Sequence, residues 1–560
     1  MWWSDNERRR KHKEDIKMII KQKKMSEKAL RPRAVTPSRD SPPELSHSVP
    51  NSVSHSIRHS RSHSMDSILS SNDTALEIYP VIAEPALESC LPSSLSQQET
   101  VCPIYSSSRN LDDKLNALAY IDDNSSLDRV FLEGDGIASH YDPAANLLTY
   151  MTCLPTQETY QYALDLSEGD RRMLDHFVDF VVPTLYPVLE ETHHGSQMNL
   201  IMPALQTNPS FVHCCLSIAA QHFKTTLHTS SAELDDEIMR HRYATIHSLC
   251  DALAEDVDHA AILEATLGMI NFQCGVGPAL DDLPDVPWHQ HFSAAVSLVQ
   301  KLDLPKLMLD DNAVFEGTPF NMTLTAHVDI LGATMLGQAP AFAHMYREKH
   351  LSNINTSLGL RELMGCDDKV LYLISEISCL EALKRDGMDD VQLCSHVTSL
   401  GGQIGLTETG DSGPKIPFNG RGVMNTEQLG KNITAAFRLA ARIYLCSLVP
   451  GFQVSSDSCT NLLDRLAQTL EFIPSGLGGF DKSMTWVYLI GGAVSMFGSK
   501  FRLLFQERVA LLDGYGTVGS FGKLGLLLNK VWQRLDDNVD APYISWRDTM
   551  QMNDWDFLLI

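Results

Sequence analysis

The sequence lacks the paired cysteines of a disulfide framework or a zinc module. It has twelve cysteines in 560 residues, but none falls in a Cys-x-x-Cys pair, and the first along the chain is Cys90. Cys214 and Cys215 are adjacent, a spacing that suits neither a simple disulfide nor a zinc knuckle. The N-terminus also has no apolar segment of the kind found in secretory signals. We therefore expect reduced thiols in the core of an intracellular protein.

Long apolar runs are absent as well. The most apolar stretch, residues 484–499, is too short and too rich in Gly, Ser and Thr to cross a bilayer. We expect this stretch to form a buried core helix, and we expect no membrane partner.

Catalytic motifs are missing. The sequence has no His-Glu-x-x-His, no phosphate-binding P-loop and no Gly-x-Ser-x-Gly elbow. Gly514, Gly516 and Gly519 spell a Gly-x-Gly-x-x-Gly pattern, but the preceding segment has helical rather than strand spacing. The pattern therefore indicates a flexible connection between two helices and not a nucleotide site.

Two pairs of histidines stand close together in the sequence, His193 with His194 and His289 with His291. Neither pair has an evident third ligand, so we expect packed or exposed histidines and not a metal site. The sequence thus predicts no catalytic residue, no resident metal and no cofactor, although a helical enzyme with a buried cavity stays open as an alternative.

Positive charge is scarce overall and concentrated at one end. The net charge is -25, whereas residues 1–33 carry twelve basic and five acidic side chains. A basic arm on an acidic body fits a nuclear import signal that also contacts phosphate, or a solvated charge run. We favour import and phosphate contact by the basic clusters, which contain Arg8, Arg9, Arg10, Lys11, Lys13, Lys21, Lys23 and Lys24.

Residues 34–110 are rich in Ser, Pro and His and poor in apolar side chains. Such a segment cannot bury enough apolar surface to offset its ordering entropy, so we expect a disordered linker. Thr36 and Ser41 precede prolines, and Ser64 follows Arg61 at the spacing of a basophilic kinase site. We expect phosphorylation at these three hydroxyls to offset the charge of the arm.

Residues 111–160 mix acidic and apolar side chains. Leu111, Leu115 and Leu118 fit one face of a helix. This partly ordered segment is either a docking helix for a coactivator or a cap on the folded body, and the sequence does not separate the two.

Residues 161–560 have helical periodicity almost throughout, with two prolines, Pro183 and Pro187, that interrupt the first helices. Strand alternation is nearly absent, and residues 402–422 read as a Gly/Pro-rich loop. We predict an all-α body, with two lobes because single cores rarely grow so large. The clearest helical stripe contains Leu524, Leu527, Leu528, Val531, Trp532 and Leu535.

The chain from about residue 165 to residue 560 resembles the fungal-specific transcription factor domain, the helical middle region of zinc binuclear cluster regulators. The runs TWVYLIGGAVSMF, FRLLFQERV, LLNKVWQRLDD and SWRDTMQMNDWDFLLI carry the resemblance, and residues 174–188 resemble the start of the domain. The matching positions are Trp486, Gly491, Arg502, Arg508, Val531, Trp532, Trp546, Arg547 and Trp555.

The resemblance implies a nuclear regulator of transcription by RNA polymerase II, with coactivators or other regulators as partners. Members of this family begin with six zinc-binding cysteines, which this sequence lacks before its basic arm. We therefore expect DNA contact only indirectly or through a missing module, and zinc only if an upstream cluster exists. Either an upstream exon is missing or the protein is a natural form without the DNA reader.

Two further alternatives stay open at this point. The chain is either the nuclear regulator or a cytoplasmic helical scaffold whose arm binds membranes or RNA. The acidic-hydrophobic residues 552–560 either recruit coactivators or pack on the body through Trp555, Phe557 and Leu558, and we favour packing.

Overall fold

The body of the protein is built from helices. A computed structural model describes residues 162–192, 196–226, 232–277, 287–309, 319–352, 357–408, 413–476, 478–512, 516–537 and 545–560, together with Tyr543. Within these ranges no strand occurs, and extended pairing is limited to isolated bridge residues, which include the pair Phe418 and Met424 and also Val518. The predicted all-α class is confirmed.

The helices follow one another with short connections. Those of the first half are α1 (Glu168–His176), α2 (Val182–Leu185), α3 (Pro187–Thr192), α4 (Ser196–Thr207), α5 (Pro209–Thr226), α6 (Ala232–Glu255), α7 (His259–Gly275), α8 (Trp288–Lys301), α9 (Leu304–Leu309) and α10 (Phe320–Leu336). Those of the second half are α11 (Ala343–Leu351), α12 (Leu360–Met364), α13 (Asp368–Arg385), α14 (Asp390–Leu406), α15 (Thr426–Ser447), α16 (Asp457–Leu470), α17 (Thr485–Ala493), α18 (Lys500–Leu511), α19 (Gly519–Asp537) and α20 (Trp546–Met552).

Local sequence explains many of the helix starts. The side chains of Ser167, Asp389 and Ser456 accept hydrogen bonds from the first free backbone N–H groups of α1, α14 and α16. Pro183 and Pro187 interrupt the first helices as expected: a π-helical turn, Phe177–Val181, precedes α2, and Pro187 opens α3.

Two predicted boundaries are wrong. The apolar helix predicted over residues 484–499 ends at Ala493, and a turn follows. The loop predicted over residues 402–422 begins later, because α14 runs through Leu406. Leu400 and Ile404 are buried one turn apart on α14, so packing keeps this glycine-containing end helical.

The core consists of two clusters of buried apolar side chains. The smaller cluster draws on α1, α2 and α4 to α7, and the larger cluster contains Val188 of α3 and extends from α7 to the C-terminal tail. Tyr186, Leu249 and Phe320 contact both clusters. In the larger cluster, α15 packs against α13, α14, α16 and α17, and α19 packs against α17, α20 and α7. The candidate site lies where these two clusters meet.

Candidate functional site: a polar cavity between the two cores

A cavity of about 70 Å³ lies where the two core clusters meet. Its walls come from helices that are far apart in sequence, namely the α2–α3 junction, α7, α10, α12, α17 and α19. The last residue of the chain, Ile560, also lines it. Any occupant of this cavity would contact both cores and the C-terminal tail.

Lys482 brings a cationic group to the cavity. Lys482 lies in a short 3-10 turn, Asp481–Met484. The adjacent residue, Asp481, holds this turn in place. The Asp481 carboxylate accepts hydrogen bonds from Arg508 at 2.9 Å and from the Tyr488 hydroxyl at 2.7 Å. Burial lowers the pKa of Lys482 to about 8, because desolvation disfavours the ammonium form. The lysine still carries its charge at neutral pH.

His327 faces the same cavity from α10. Burial lowers the pKa of this imidazole to about 4, so the ring is neutral at pH 7. Its Nε2 atom is buried and finds no hydrogen-bond partner among the described residues. A buried polar atom in this state costs free energy unless water or a ligand satisfies it.

Further polar groups complete the lining. Asn271 donates to the Tyr186 hydroxyl at 2.8 Å, and this bond leaves the phenol hydrogen to be donated elsewhere. Thr485 and Ser520 donate their hydroxyl hydrogens to the backbone carbonyls of Lys482 and Leu558, at 2.6 and 2.9 Å. The hydroxyls of Thr485 and Ser520 are thus engaged with the backbone and leave their oxygen lone pairs towards the lining.

The C-terminal tail closes one side of the site. Trp288 donates its indole N–H to Asp556 at 2.9 Å, and Phe557, Leu558 and Leu559 are buried. This is the packing that the sequence favoured for residues 552–560. The tail therefore holds Ile560 at the cavity wall.

Three of the family-type arginines clamp helix ends around this region. Arg502 donates to the carbonyl of Ser495, just beyond α17, at 2.8 Å and to Asp536 on α19 at 2.7 Å. Arg508 donates to the carbonyl of Ile473, just beyond α16, at 3.0 Å. Guanidinium groups satisfy the carbonyls that a helix C-terminus leaves open.

Arg547 acts in the same way at the end of α10. Its Nε donates to the Thr334 carbonyl at 2.8 Å, and its guanidinium forms an ion pair with Glu381. Trp486 donates to the Thr334 hydroxyl at 2.9 Å and stacks on Phe437. The residues that carry the resemblance thus form the polar scaffold of the larger core.

The remaining family-type positions are packing residues. The indole N–H of Trp532 donates to the Gly492 carbonyl at 2.8 Å, and Val531 is buried beside it. A side-chain carbon at Gly491 would lie 2.5 Å from the Phe501 ring, so glycine is required there.

The site residues predicted in the basic arm and linker lie outside the described residues. They are Arg8, Arg9, Arg10, Lys11, Lys13, Lys21, Lys23, Lys24, Thr36, Ser41 and Ser64. The acidic-hydrophobic segment 111–160 and the pair His193–His194 lie outside them too.

Gly516, Gly519 and the second histidine pair fall within the described residues, whereas Gly514 lies outside them. Gly516 lies between α18 and α19, and Gly519 is the first residue of α19, so these two glycines join two helices as predicted. The backbone N–H of Gly519 donates to the Gly277 carbonyl at 2.8 Å. His289 Nδ1 lies 3.0 Å from Asp556 and His291 is on the same helix, α8.

One group of potential metal ligands occurs in the described part of the chain: Asp170, Glu237 and His241. Arg240 donates to Asp170 at 2.9 Å and also contacts Glu237. His241 Nδ1 lies 3.0 Å from His213 Nδ1. A cation already neutralises these carboxylates, so the cluster is an ion-pair network that ties α6 to α1.

Among the described residues, no three cysteines lie close enough together to hold a zinc ion. Cys214 and Cys215 are buried in the smaller core, and burial raises the pKa of Cys214 to about 12. No step of a mechanism is assigned to zinc in this part of the chain.

Sequence reasoning missed the cavity. Two signals point to it in retrospect: His327 lies on the largely buried helix α10, and Lys482 lies two residues before the most apolar stretch of the chain. Among the described residues, no helix combines the length and the apolar composition that crossing a bilayer requires.

Comparison with known proteins identifies the family. The fungal specific transcription factor domain matches residues 172–560. The transcriptional regulatory protein pro1 of Neurospora crassa is 46% identical over 616 aligned residues, which cover 100% of this chain and 88% of the relative. The transcription factor dibT of Pestalotiopsis microspora is 21% identical over 448 residues, which cover 68% of this chain and 67% of that protein.

No solved structure matches the chain. The domain match covers more than half of the chain, and it includes each clamp arginine and the cavity. Members of such a family regulate transcription and are not enzymes. The chain therefore belongs to the family of transcription regulators defined by the fungal specific transcription factor domain.

Proposed function

We propose that the chain regulates transcription in the nucleus and that its helical body receives a small-molecule signal at the cavity between the two cores. The observation that carries this proposal is the position of the cavity. It is lined by both cores and by the tail, so that occupancy changes the packing of the whole body.

The charge distribution supports the assignment of roles. The chain has a net charge of -25, whereas residues 1–33, the arm, carry twelve basic and five acidic side chains. An acidic body repels the phosphate backbone of DNA, whereas a basic arm attracts it. The arm would bind the nuclear import machinery, and it would also make nonspecific contacts with phosphate. Such contacts carry no sequence information, so specific DNA reading would depend on a zinc cluster or on a partner regulator.

The linker would add control of the arm. Phosphate at Thr36, Ser41 or Ser64 would place negative charge close in sequence to the basic clusters and weaken their contact with phosphate or import receptors. Coactivators or other regulators remain the partners proposed for residues 111–160.

Localisation tests the first half of the proposal. The full chain fused to a fluorescent protein should accumulate in nuclei, and replacing Arg8, Arg9, Arg10 and Lys11 with Ala should shift it to the cytoplasm. Replacing Arg31 and Arg33 with Ala removes charge from the same arm outside its clusters and should leave the fusion nuclear. A cytoplasmic wild-type fusion would contradict the nuclear assignment and favour the scaffold alternative.

A reporter assay tests the second half. The full chain is tethered to an unrelated DNA-binding domain upstream of a reporter gene. We expect reporter output to rise or fall at least severalfold compared with the DNA-binding domain alone. A tethered, folded chain that leaves the reporter unchanged would contradict a regulatory role for the body.

A further inference from the structure

A phenylalanine is exposed at the turn that joins α17 to α18. Phe497 is 85% accessible, and Met496 beside it is exposed as well. The first turn of α18 adds a third exposed apolar residue, Leu503, which is 54% accessible. Single apolar side chains on a surface are ordinary, whereas several that follow one another mark a site of interaction.

The protein holds the Phe497 turn in a fixed shape. The Arg502 guanidinium donates to the Ser495 carbonyl at 2.8 and 2.6 Å, and the Ser499 N–H donates to the Met496 carbonyl at 3.2 Å. The Phe497 ring therefore projects from an ordered backbone. A side chain presented in this way loses less conformational entropy when a partner binds it.

The outer face of α18 continues the apolar surface. The inner face contains the buried residues Phe501, Arg502, Phe505 and Arg508. The opposite, exposed face contains Lys500, Leu503, Gln506, Glu507, Ala510 and Leu511. At ~100° per residue, Leu503 and Ala510 lie at the centre of this exposed side. We call these six residues, together with Met496 and Phe497, the α18 face.

The α18 face is neutral, although the chain is strongly acidic. Its two charged residues, Lys500 and Glu507, are exposed and opposite in sign, whereas the whole chain has a net charge of -25. They stand seven positions apart, so they do not form the i,i+4 ion pair that is common on helices. A neutral apolar face is where two acidic molecules can meet with the least electrostatic repulsion.

The order of residues along α18 is self-complementary. An isologous dimer brings the same surface of two copies together about a two-fold axis. If two α18 helices pack antiparallel with the axis between positions 503 and 504, Lys500 of each copy lies opposite Glu507 of the other. The same register places Phe497 of each copy opposite the small side chain of Ala510, and Leu503 opposite its own counterpart.

We infer that the α18 face is a contact surface for a second copy of this chain, in which two α18 helices pack antiparallel about a two-fold axis. This goes beyond the proposed function, which requires no second copy. A seam of one 12-residue helix is short, so the dimer would be reversible and not obligate. It would join two basic arms, and two linked arms bind phosphate with more avidity than one.

Sedimentation velocity of the purified full chain, from low to high micromolar concentration, tests the inference. We expect a monomer–dimer equilibrium in the wild type. Leu503→Asp and Phe497→Asp each place carboxylates in the seam, and each should raise the dissociation constant at least ~10-fold. Val391→Asp is the matched control, because Val391 is 77% accessible on α14 and outside the α18 face. The control should dimerise as the wild type does.

A charge exchange tests the register. Glu507→Lys places like charges opposite each other in the antiparallel arrangement, and we expect the dissociation constant to rise at least ~5-fold. Adding Lys500→Glu to this variant restores both ion pairs with exchanged signs. The double variant should therefore dimerise within about threefold of the wild type. Thermal melts followed by circular dichroism show that each variant is folded.

Four outcomes would overturn the inference. A folded wild-type chain that stays monomeric throughout would leave the α18 face to a different protein. A dimer that Leu503→Asp and Phe497→Asp leave unchanged would show that two copies meet elsewhere. Equal weakening by Val391→Asp would show that added negative charge alone is responsible. A double variant as weak as Glu507→Lys would refute the antiparallel register.

Discussion

Arg547 and Glu381 form a bidentate ion pair across 166 positions of sequence, with N–O distances of 2.6 and 2.7 Å. Arg547 also donates to the Thr334 carbonyl at the end of α10, and its guanidinium lies 4.4 Å from the centre of the Trp546 ring. One side chain thus ties α20 to α10 and α13.

Removing this guanidinium should destabilise the fold. Arg547→Met leaves the half-buried Glu381 carboxylate with the Tyr444 hydroxyl, and the Thr334 carbonyl with the Gly337 N–H, as remaining donors. We expect a loss of about 2–4 kcal/mol in the free energy of unfolding. Arg547→Lys should lower the free energy of unfolding less than Arg547→Met does. The lysine ammonium keeps the positive charge and a donor, although it cannot reproduce the bidentate geometry of the guanidinium.

Urea denaturation measures both variants of Arg547. The control is Arg385→Met: Arg385 is exposed and reaches the same end of α10 with a single bond of 3.4 Å. We expect a change within about 0.5 kcal/mol for the control. Equal losses of unfolding free energy in Arg385→Met and Arg547→Met would show that the bidentate ion pair stabilises the fold no more than a single surface hydrogen bond does.

Gly519 should tolerate no side chain. Its φ is +61°, and a Cβ atom would lie 2.5 Å from the Gly275 carbonyl oxygen. We expect Gly519→Ala to cost about 2–4 kcal/mol, through backbone strain and a clash with the end of α7.

Gly525 gives the matched control within the same helix, α19. Nothing lies within 4 Å of a Cβ at this position. Gly525→Ala should therefore stabilise the protein by about 0.5–1 kcal/mol, because alanine favours the helix. Urea midpoints of the two variants should move in opposite directions, and a shift in the same direction would refute the close approach of α19 to α7.

Helix positions could be predicted from the sequence because burial imposes a period on each segment separately. The stripe Leu524–Leu528–Val531 is buried as that period requires. The prolines 183 and 187 also mark interruptions through their own chemistry.

The cavity could not be predicted in this way. Tyr186, Asn271, His327 and Lys482 come together only through tertiary packing, and no local pattern records which helices meet. The clamp arginines were named only through the family resemblance, since an arginine in a helix looks the same in sequence whether it is exposed or holds a carbonyl. The end of α17 at Ala493 was missed for a related reason: Arg502 takes the Ser495 carbonyl, so the chain turns there.

As the pH is lowered, the body should unfold at a higher pH than protonation of its carboxylates alone would cause. Burial lowers the pKa of His176, His291 and His327 to about 4 and that of His222 well below the ordinary value of 6.5. The unfolded chain therefore binds protons at these rings that the folded chain does not. Stability is fully present above pH 6.5 and is lost as the pH falls from 6.5 towards 4.

Replacing one buried ring should reduce this dependence. His327→Gln removes about one proton from the difference in bound protons between the unfolded and the folded chain. The slope of unfolding free energy against pH between 4.5 and 6 should therefore fall by about 1.4 kcal/mol per pH unit. Exposed His247 is the control, since its side chain is 63% accessible and His247→Gln should leave the slope unchanged. Denaturant titrations across this range measure both, and equal slopes in the three proteins would contradict the burial of a neutral His327.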